Sequence, residues 1–150
     1  MKSYDPKTAA KVWDRVQNTA VPAGDSQLIL NLITEEVLDA RTYQQLAKRL
    51  PPPLANTVRQ LSQQEQAHAA CLKGIYAMIT GRNAIVPAPK VADDPTDIVL
   101  RRCYGREMRA LAQYESRQSD PQYGHIFHTL AQQEQEHCRK LLEILGALAK

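Results

Sequence analysis

Hydrophobic residues recur along most of the chain at the three-to-four-residue spacing of amphipathic α-helices. Proline and glycine interrupt this pattern and divide the chain into five predicted helices. They run from Asp5-Pro6 to about residue 18, from Asp25 or Ser26 to about Leu50, from about Leu54 to Thr80, from Asp94-Pro95 to about Ser119, and from Asp120-Pro121 almost to Lys150. Residues 82–94 have no helical period, so we predict a connection there.

The connections predict how the helices pair. Short breaks at Pro51-Pro52-Pro53 and Asp120-Pro121 indicate two helical hairpins, whereas the link between the hairpins is too long for antiparallel neighbours, which need about two to eight residues. Fully extended, the link reaches about 46–50 Å, enough to climb a bundle of roughly 40 Å, or else to swap a hairpin between two subunits. Ile85 and Val86 could anchor it on the bundle surface.

We therefore predict an all-α fold, a four-helix bundle of two helical hairpins joined by a crossover link, with an extra short N-terminal helix. The stripe of that first helix, which includes Trp13, is expected to cap the bundle. The whole chain is expected to form one domain, divided into an N-terminal helix and linker (1–24), a first hairpin (25–80), the crossover (81–94) and a second hairpin (95–150).

Each of the four longer helices carries a glutamate in the middle of its apolar stripe: Glu36, Glu65, Glu107 and Glu134. At about 100° per residue, the apolar side chains of the last helix lie within about 40° of its glutamate. These side chains are Tyr123, Phe127, Leu130, Leu141, Leu145 and Leu148. A buried carboxylate without a partner costs several kcal/mol, so four of them predict bound cations.

Two of these glutamates belong to a hexapeptide that occurs almost identically twice, as Gln-Gln-Glu-Gln-Ala-His at 63–68 and as Gln-Gln-Glu-Gln-Glu-His at 132–137. Each copy contains Glu-x-x-His, which places a carboxylate and an imidazole on the same side of a helix. His68 and His137 lie at the edge of the apolar stripes. Carboxylate and imidazole at this spacing are typical metal ligands, and two copies predict one site for two metals.

The positions of the breaks support this interpretation. The first break lies midway between Glu36 and Glu65, and the second lies midway between Glu107 and Glu134. In an antiparallel hairpin, residues equally distant from the turn face each other, so each hairpin sets its two carboxylates level. A tyrosine also follows the first glutamate of each hairpin by seven residues, at Tyr43 and Tyr114.

A single Glu-x-x-His is more often a surface pair than a ligand pair, and only the doubled, level arrangement favours a metal site. Other candidates have simpler interpretations. Glu35 and Glu136 point away from the stripes and are expected to be solvated, His125 and His128 are expected at the surface, and Cys103 is expected to be a core thiol.

Composition narrows the possible functions. The chain of 150 residues has one Phe, one Trp and only 6 Gly, which suits a helical bundle better than a β-sandwich. The net charge is +3; four arginines between 101 and 109 could bind phosphate, but a solvated face is expected and no nucleic acid partner. No segment resembles a signal peptide or a membrane span, so we expect a cytoplasmic protein. The three cysteines (Cys71, Cys103, Cys138) show no metal-site spacing and are expected to be core or surface thiols.

The order Glu36, Glu65-x-x-His68, Glu107, Glu134-x-x-His137 resembles the di-iron carboxylate pattern of the ferritin-like superfamily, and the layout is most similar to rubrerythrin. The resemblance covers residues 25–150. It implies that each metal takes one histidine and one terminal carboxylate, from Glu36 or Glu107, and that Glu65 and Glu134 bridge both metals. The implied cofactor is two iron ions, with manganese or zinc as alternatives, and Tyr43 and Tyr114 would either donate hydrogen bonds to the ligands or serve only as core aromatics.

The resemblance implies an oxidoreductase that acts on hydrogen peroxide or dioxygen, in a homodimer. Two features differ from typical rubrerythrins: Ala110 stands where an extra glutamate is usual, which makes the site more symmetric, as in bacterioferritin, and no rubredoxin-like cysteine cluster follows the bundle. Electrons would then come from a separate donor or from Fe(II). The alternatives are an iron-storage protein, a structural bundle that metals only brace, and an oxygenase of an organic substrate.

Overall fold

The computed structural model describes residues 23–149, and this range folds into four α-helices without a strand. In chain order they are α1 (Ala23–Ala47), α2 (Pro52–Thr80), α3 (Thr96–Glu115) and α4 (Gly124–Leu148). The predicted all-α class is confirmed. The predicted N-terminal helix and Trp13 lie outside the described residues.

Contacts between the hairpins fix the direction of each helix. Helix α1 packs along α2, and α3 packs along α4. Tyr43 on α1 contacts Glu107 on α3, whereas Tyr114, later on α3, contacts Glu36, earlier on α1. Helices α1 and α3 are therefore antiparallel, and because α1 and α2 form a hairpin, α2 and α3 run parallel. A parallel pair requires the link after α2 to travel the length of the bundle, which confirms the predicted crossover.

The crossover is held by a few contacts with the bundle. Arg49 donates hydrogen bonds to Asp93 Oδ1 at 2.9 Å and to the backbone carbonyl of Asp94 at 2.7 Å. Val86 packs on the core, as predicted. The prediction that Ile85 anchors the link was wrong, since its side chain is 87% exposed. Two adjacent residues of an extended segment point in opposite directions, so only one of them can face the bundle.

The first hairpin turns slightly earlier than the sequence predicted. Helix α1 ends at Ala47, and residues 48–50 form a turn. Pro52 and Pro53 occupy the first turn of α2. The backbone N–H groups of a first turn have no acceptor within the helix, so the missing N–H of proline costs no hydrogen bond there. The predicted C-cap of α2 is confirmed at Gly81, whose φ of 68° is left-handed.

The second hairpin differs more from the prediction. Helix α3 ends at Glu115, and α4 begins at Gly124, three residues after Pro121. The carboxylate of Asp120 accepts hydrogen bonds from the backbone N–H groups of Gln122 and Tyr123, at 2.9 and 2.7 Å. This side chain stabilises a local turn that competes with a continuous helix.

The interior contains two apolar clusters with the four glutamates between them. The first cluster includes Tyr43, Leu61, Leu100, Cys103 and Leu141, all fully buried. The second contains Ile29, Ile33, Leu72, Ile75, Tyr114 and Phe127, among others. Every helix passes from one cluster to the other, and its central glutamate lies at the crossing. None of the described helices has an apolar run long enough to span a membrane.

Gly124 is expected to tolerate no side chain, whereas Gly74 should accept one. A Cβ atom on Gly124 would overlap the backbone carbonyl oxygen of Gln118, but a Cβ atom on Gly74, within α2, meets nothing within 4 Å. Gly124→Ala should therefore destabilise the protein by about 1–3 kcal/mol, because backbone must move. Gly74→Ala, the matched control, should stabilise it by about 0.5–1 kcal/mol. Urea unfolding of both variants measures these changes in the free energy of unfolding. Changes of the same sign in both variants would contradict the close backbone contact at Gly124.

Candidate metal centre

The structure brings all six residues of the predicted ligand set into one buried cluster. Each helix contributes the glutamate from the centre of its apolar stripe, and α2 and α4 also contribute a histidine one turn later. None of the six side chains is more than 3% exposed: Glu36, Glu65, His68, Glu107, Glu134 and His137. The pattern of polar residues inside apolar stripes therefore identified side chains that meet in space.

The six side chains form two overlapping groups that could each hold a metal ion. One group is Glu36, Glu65, His68 and Glu134, and the other is Glu65, Glu107, Glu134 and His137. Within each group, the candidate ligand atoms all lie within 4.8 Å of one another. Glu65 and Glu134 belong to both groups, so the two candidate sites share two carboxylates.

Both histidines direct Nδ1 towards the carboxylates. His68 Nδ1 lies 2.9 Å from Glu134 Oε1 and 3.4 Å from Glu65 Oε2. His137 Nδ1 lies 2.7 Å from Glu65 Oε1 and 3.3 Å from Glu134 Oε2. The two rings stack with their centroids 5.5 Å apart and an angle of 18° between their planes. Each imidazole thus contacts both shared carboxylates.

Buried atoms without hydrogen-bond partners show that this cluster suits a metal. Both oxygens of Glu65, Oε2 of Glu36, Oε2 of Glu134 and Nδ1 of His137 are buried and make no hydrogen bond. The contact between His137 Nδ1 and Glu65 Oε1 is short, yet neither atom is satisfied by it. Since buried polar atoms almost always find a partner, ligand atoms that converge without one fit a bound cation.

The electrostatics of the cluster separate the shared carboxylates from the others. Burial, together with the charge of Glu36, raises the pKa of Glu65 and of Glu134 well above the usual range. Burial also acts to raise the pKa of Glu107, but its close polar contacts with Glu134 and His137 outweigh burial and lower the pKa to about 2. Burial and the neighbouring carboxylates therefore oppose ionisation of Glu65 and Glu134, and a bound cation would favour it.

The two tyrosines connect the hairpins at the cluster. Tyr43 donates a hydrogen bond to Glu107 Oε1 at 2.6 Å, and Tyr114 donates one to Glu36 Oε1. Each tyrosine thus contacts the glutamate of the opposite hairpin, not its own. Both tyrosines are fully buried, so water does not compete for these hydroxyls.

Removal of either hydroxyl should weaken the join between the hairpins. Tyr43→Phe and Tyr114→Phe each delete a buried hydrogen bond to a carboxylate, which we expect to cost about 1.5–3 kcal/mol of the free energy of unfolding. Urea unfolding of the metal-free protein measures the loss. Tyr76→Phe is the control, because Tyr76 lies at the edge of the second cluster and should change stability by less than about 0.5 kcal/mol. Equal losses in all three variants would contradict a role at the carboxylates.

Sequence reasoning missed two glutamines that contact the histidines. Gln133 Oε1 lies 2.5 Å from His68 Nε2, and Gln64 Oε1 lies 2.5 Å from His137 Nε2. Each glutamine directly precedes Glu65 or Glu134 in the repeated hexapeptide. The presence of glutamine at the same place in both copies was a signal in the sequence that these residues matter. It did not reveal their partners, which lie on another helix.

Sequence reasoning also missed a buried ion pair beside the cluster. Asp39, one turn after Glu36, is buried and accepts a hydrogen bond from Arg106 Nε at 2.5 Å. Burial raises the pKa of Asp39 well above its usual range, although Arg106 opposes the shift. The side chain of Arg106 is only 15% exposed, so this residue departs from the solvated face predicted for the arginines of α3. Arg101, Arg102 and Arg109 are exposed as predicted.

The remaining candidates lie mostly where the sequence placed them. Glu136, His125 and His128 are exposed, and Cys103 is buried in the core. Glu35, predicted to be solvated, is half-buried. Cys138 is also buried, and Cys71 is half-buried. All three cysteines are free thiols.

Comparison with known families decides the relationship of this chain. The model of the rubrerythrin family matches residues 28–145, which contain all six clustered residues and both tyrosines. The chain belongs to the rubrerythrin family. This is a ferritin-like di-iron family, and the crossover four-helix bundle with its buried Glu and His cluster agrees with membership. No curated protein and no solved structure matches the chain.

Proposed function

We propose that the protein is a di-iron oxidoreductase that reduces hydrogen peroxide or reacts with dioxygen. The observation that supports this proposal best is the pair of overlapping ligand groups, which share Glu65 and Glu134 and are completely buried. One metal alone would leave two of the six ligands unused. Two ions held by shared carboxylates fit the donor atoms, since carboxylates with one neutral imidazole per metal suit iron and manganese.

In the proposed site, Glu36 and His68 would hold one iron and Glu107 and His137 the other, and Glu65 and Glu134 would be available to both. The tyrosine hydroxyls keep Glu36 and Glu107 oriented, because each donates to one oxygen and leaves the other free to bind. The apolar clusters on both sides exclude bulk water from the ligands. Exclusion of water strengthens the electrostatic interactions within the site.

The proposed reaction consumes two electrons and two protons for each hydrogen peroxide that becomes two water molecules. Two bound iron ions would supply both electrons, and either a separate donor protein or further Fe(II) would restore them. Transfer of electrons in a pair avoids release of a one-electron product.

Rapid mixing tests the proposal directly. Protein loaded anaerobically with Fe(II) is mixed with hydrogen peroxide or with dioxygen, and the absorbance of Fe(III) is followed. We expect fast oxidation of about two Fe(II) per peroxide, because each Fe(II) gives one electron and hydrogen peroxide takes two. Metal analysis should find about two irons per chain. Slow reaction with both oxidants would refute the proposal, as would uptake of many irons per chain into a large assembly, which marks storage.

Two variants from the same hexapeptide provide the control. Glu134→Ala removes a shared carboxylate, whereas Glu136→Ala removes an exposed one that pairs with Arg139. The first should lose rapid oxidation, and the second should retain it. Equal activity in the two variants would contradict the assignment of the site.

A further inference from the structure

The Nε2 atoms of both histidines face away from the carboxylate cluster and meet exposed glutamine side chains. Gln133 on α4 contacts His68 on α2, and Gln64 on α2 contacts His137 on α4, each at 2.5 Å. The arrangement is reciprocal, because each helix supplies one histidine and the glutamine that holds the other histidine. We call Gln64 and Gln133 the glutamine clamp.

On the basis of the proposed di-iron site, we propose that the glutamine clamp consists of two positioning residues. It holds hydrogen on Nε2 of His68 and His137, so that Nδ1 is free to bind a metal. Because an amide carries no charge, the clamp also favours the trivalent state of the metals less than a carboxylate at the same position would.

The first part of the proposal follows from hydrogen-bond chemistry. A neutral imidazole has one N–H donor and one acceptor nitrogen. The carbonyl oxygen of a glutamine can only accept, so it selects the ring form with hydrogen on Nε2. The lone pair of Nδ1 then points at the shared carboxylates. His137 Nδ1 has no hydrogen-bond partner, and His68 Nδ1 lies 2.9 Å from Glu134 Oε1, where it can accept a hydrogen bond from a carboxyl O–H. Without the clamp, the ring could turn over or exchange its proton with water.

The second part follows from the charges in the cluster. Two divalent cations balance the four carboxylates of the ligand groups, and both histidines are neutral as ligands. The other buried carboxylate among the described residues, Asp39, is paired with Arg106. A carboxylate in place of either clamp residue would add negative charge and make the imidazole a stronger donor, which favours trivalent metal. The amides of Gln64 and Gln133 orient the rings without adding negative charge.

Leucine substitutions test the positioning role. Gln64→Leu and Gln133→Leu keep most of the side-chain volume but remove the acceptor, and both positions are exposed, so the fold should persist. Titration of the apoprotein with Co(II) should show a loss of about 10- to 100-fold in affinity for each variant. In apoprotein with ¹⁵N-labelled histidine at alkaline pH, NMR should find hydrogen on Nε2 in the wild type and a mixture of ring forms in the variants.

Glutamate substitutions test the charge role. Gln64→Glu and Gln133→Glu keep an acceptor, so Co(II) affinity should be retained or increased, while the reduction potential of the iron-loaded protein should shift to more negative values. Gln63→Leu, Gln63→Glu, Gln132→Leu and Gln132→Glu are matched controls, since these glutamines are exposed neighbours in the same hexapeptides. The controls should leave affinity, ring form and potential unchanged.

The outcomes separate the clamp from the proposed function. Unchanged affinity and ring form in the leucine variants would overturn the positioning role, and equal shifts of potential at the control and clamp positions would overturn the charge role. Wild-type protein that binds two Co(II) and loses affinity in the leucine variants, but reacts with neither peroxide nor dioxygen, would support the clamp and refute the oxidoreductase.

Discussion

Metal-free Glu65→Gln protein is expected to be more stable at pH 7 than the metal-free wild type, although the variant no longer holds a metal pair. Glu65 is fully buried, and neither of its carboxylate oxygens has a hydrogen-bond partner. Its pKa is raised by burial and by the charge of Glu36. An amide of the same shape removes this unfavourable ionisation, so we expect a gain of about 1–4 kcal/mol in the free energy of unfolding.

The gain should depend on pH with a definite sign. A carboxyl group with a raised pKa in the folded protein contributes its full stability below the unfolded value, which is 4.5, and that contribution is lost as the pH rises towards the folded value. The advantage of the variant should therefore be absent below about pH 4.5 and grow above it. Glu107, with its pKa lowered to about 2, acts oppositely in the wild type and loses its contribution as the pH falls below 4.5.

Chemical denaturation between pH 4 and 8, with a chelator present, measures the difference, and metal analysis of each variant measures occupancy. Glu136→Gln is the control, because Glu136 is exposed, and it should change stability by less than about 0.5 kcal/mol. A Glu65→Gln protein that is less stable than the wild type when metal-free, or that still binds two metals, would contradict the shared-ligand assignment.

The six clustered residues were predictable because each is a polar residue within the apolar stripe of a single helix, or at the edge of that stripe. A glutamate such as Glu134, surrounded by leucines at helical spacing, conflicts with the rule that buried positions are apolar, and the conflict is visible in the sequence alone. The breaks midway between the paired glutamates also predicted that the two carboxylates of each hairpin lie at the same height in the bundle. Burial of all four, at 3% exposure or less, agrees with that expectation.

Contacts between the two hairpins were not predictable in the same way. The Asp39–Arg106 pair, the clamp contacts and the tyrosine hydrogen bonds join residues 64 to 78 positions apart in sequence. Such contacts depend on how one hairpin is rotated against the other, and helical periodicity contains no information about that rotation. Tyr43 illustrates the limit: its position on the inner stripe was evident, but its contact with Glu107 was not.

Helix ends were also predicted only approximately. Local side-chain hydrogen bonds, such as those that Asp120 accepts, shift a boundary by a few residues without changing the hydrophobic pattern. These errors lie at the turns, far from Glu36 and the other central residues. They therefore left the predicted cluster intact.

Metal loading is expected to stabilise the wild-type protein more than any single substitution changes it. A ligand that binds only the folded state contributes about 4 kcal/mol when its free concentration is 1,000 times its dissociation constant, so two such ions contribute about 8 kcal/mol. For a chain of this length, the melting temperature should rise by about 16–32 °C. The reason is local: the cations neutralise carboxylates such as Glu65 and Glu134, which otherwise repel each other within the core.

Calorimetry with and without Co(II) measures this effect, and a titration followed by its visible spectrum gives the number of ions bound. The first ion enters a cluster with four carboxylates and cancels half of their charge, so the second should bind more weakly. His137→Ala should remove one ion and about half of the stabilisation, whereas His128→Ala, at an exposed position, should remove neither. Saturation at one ion per wild-type chain would contradict the shared site, because a single ion leaves His68 or His137 without a metal.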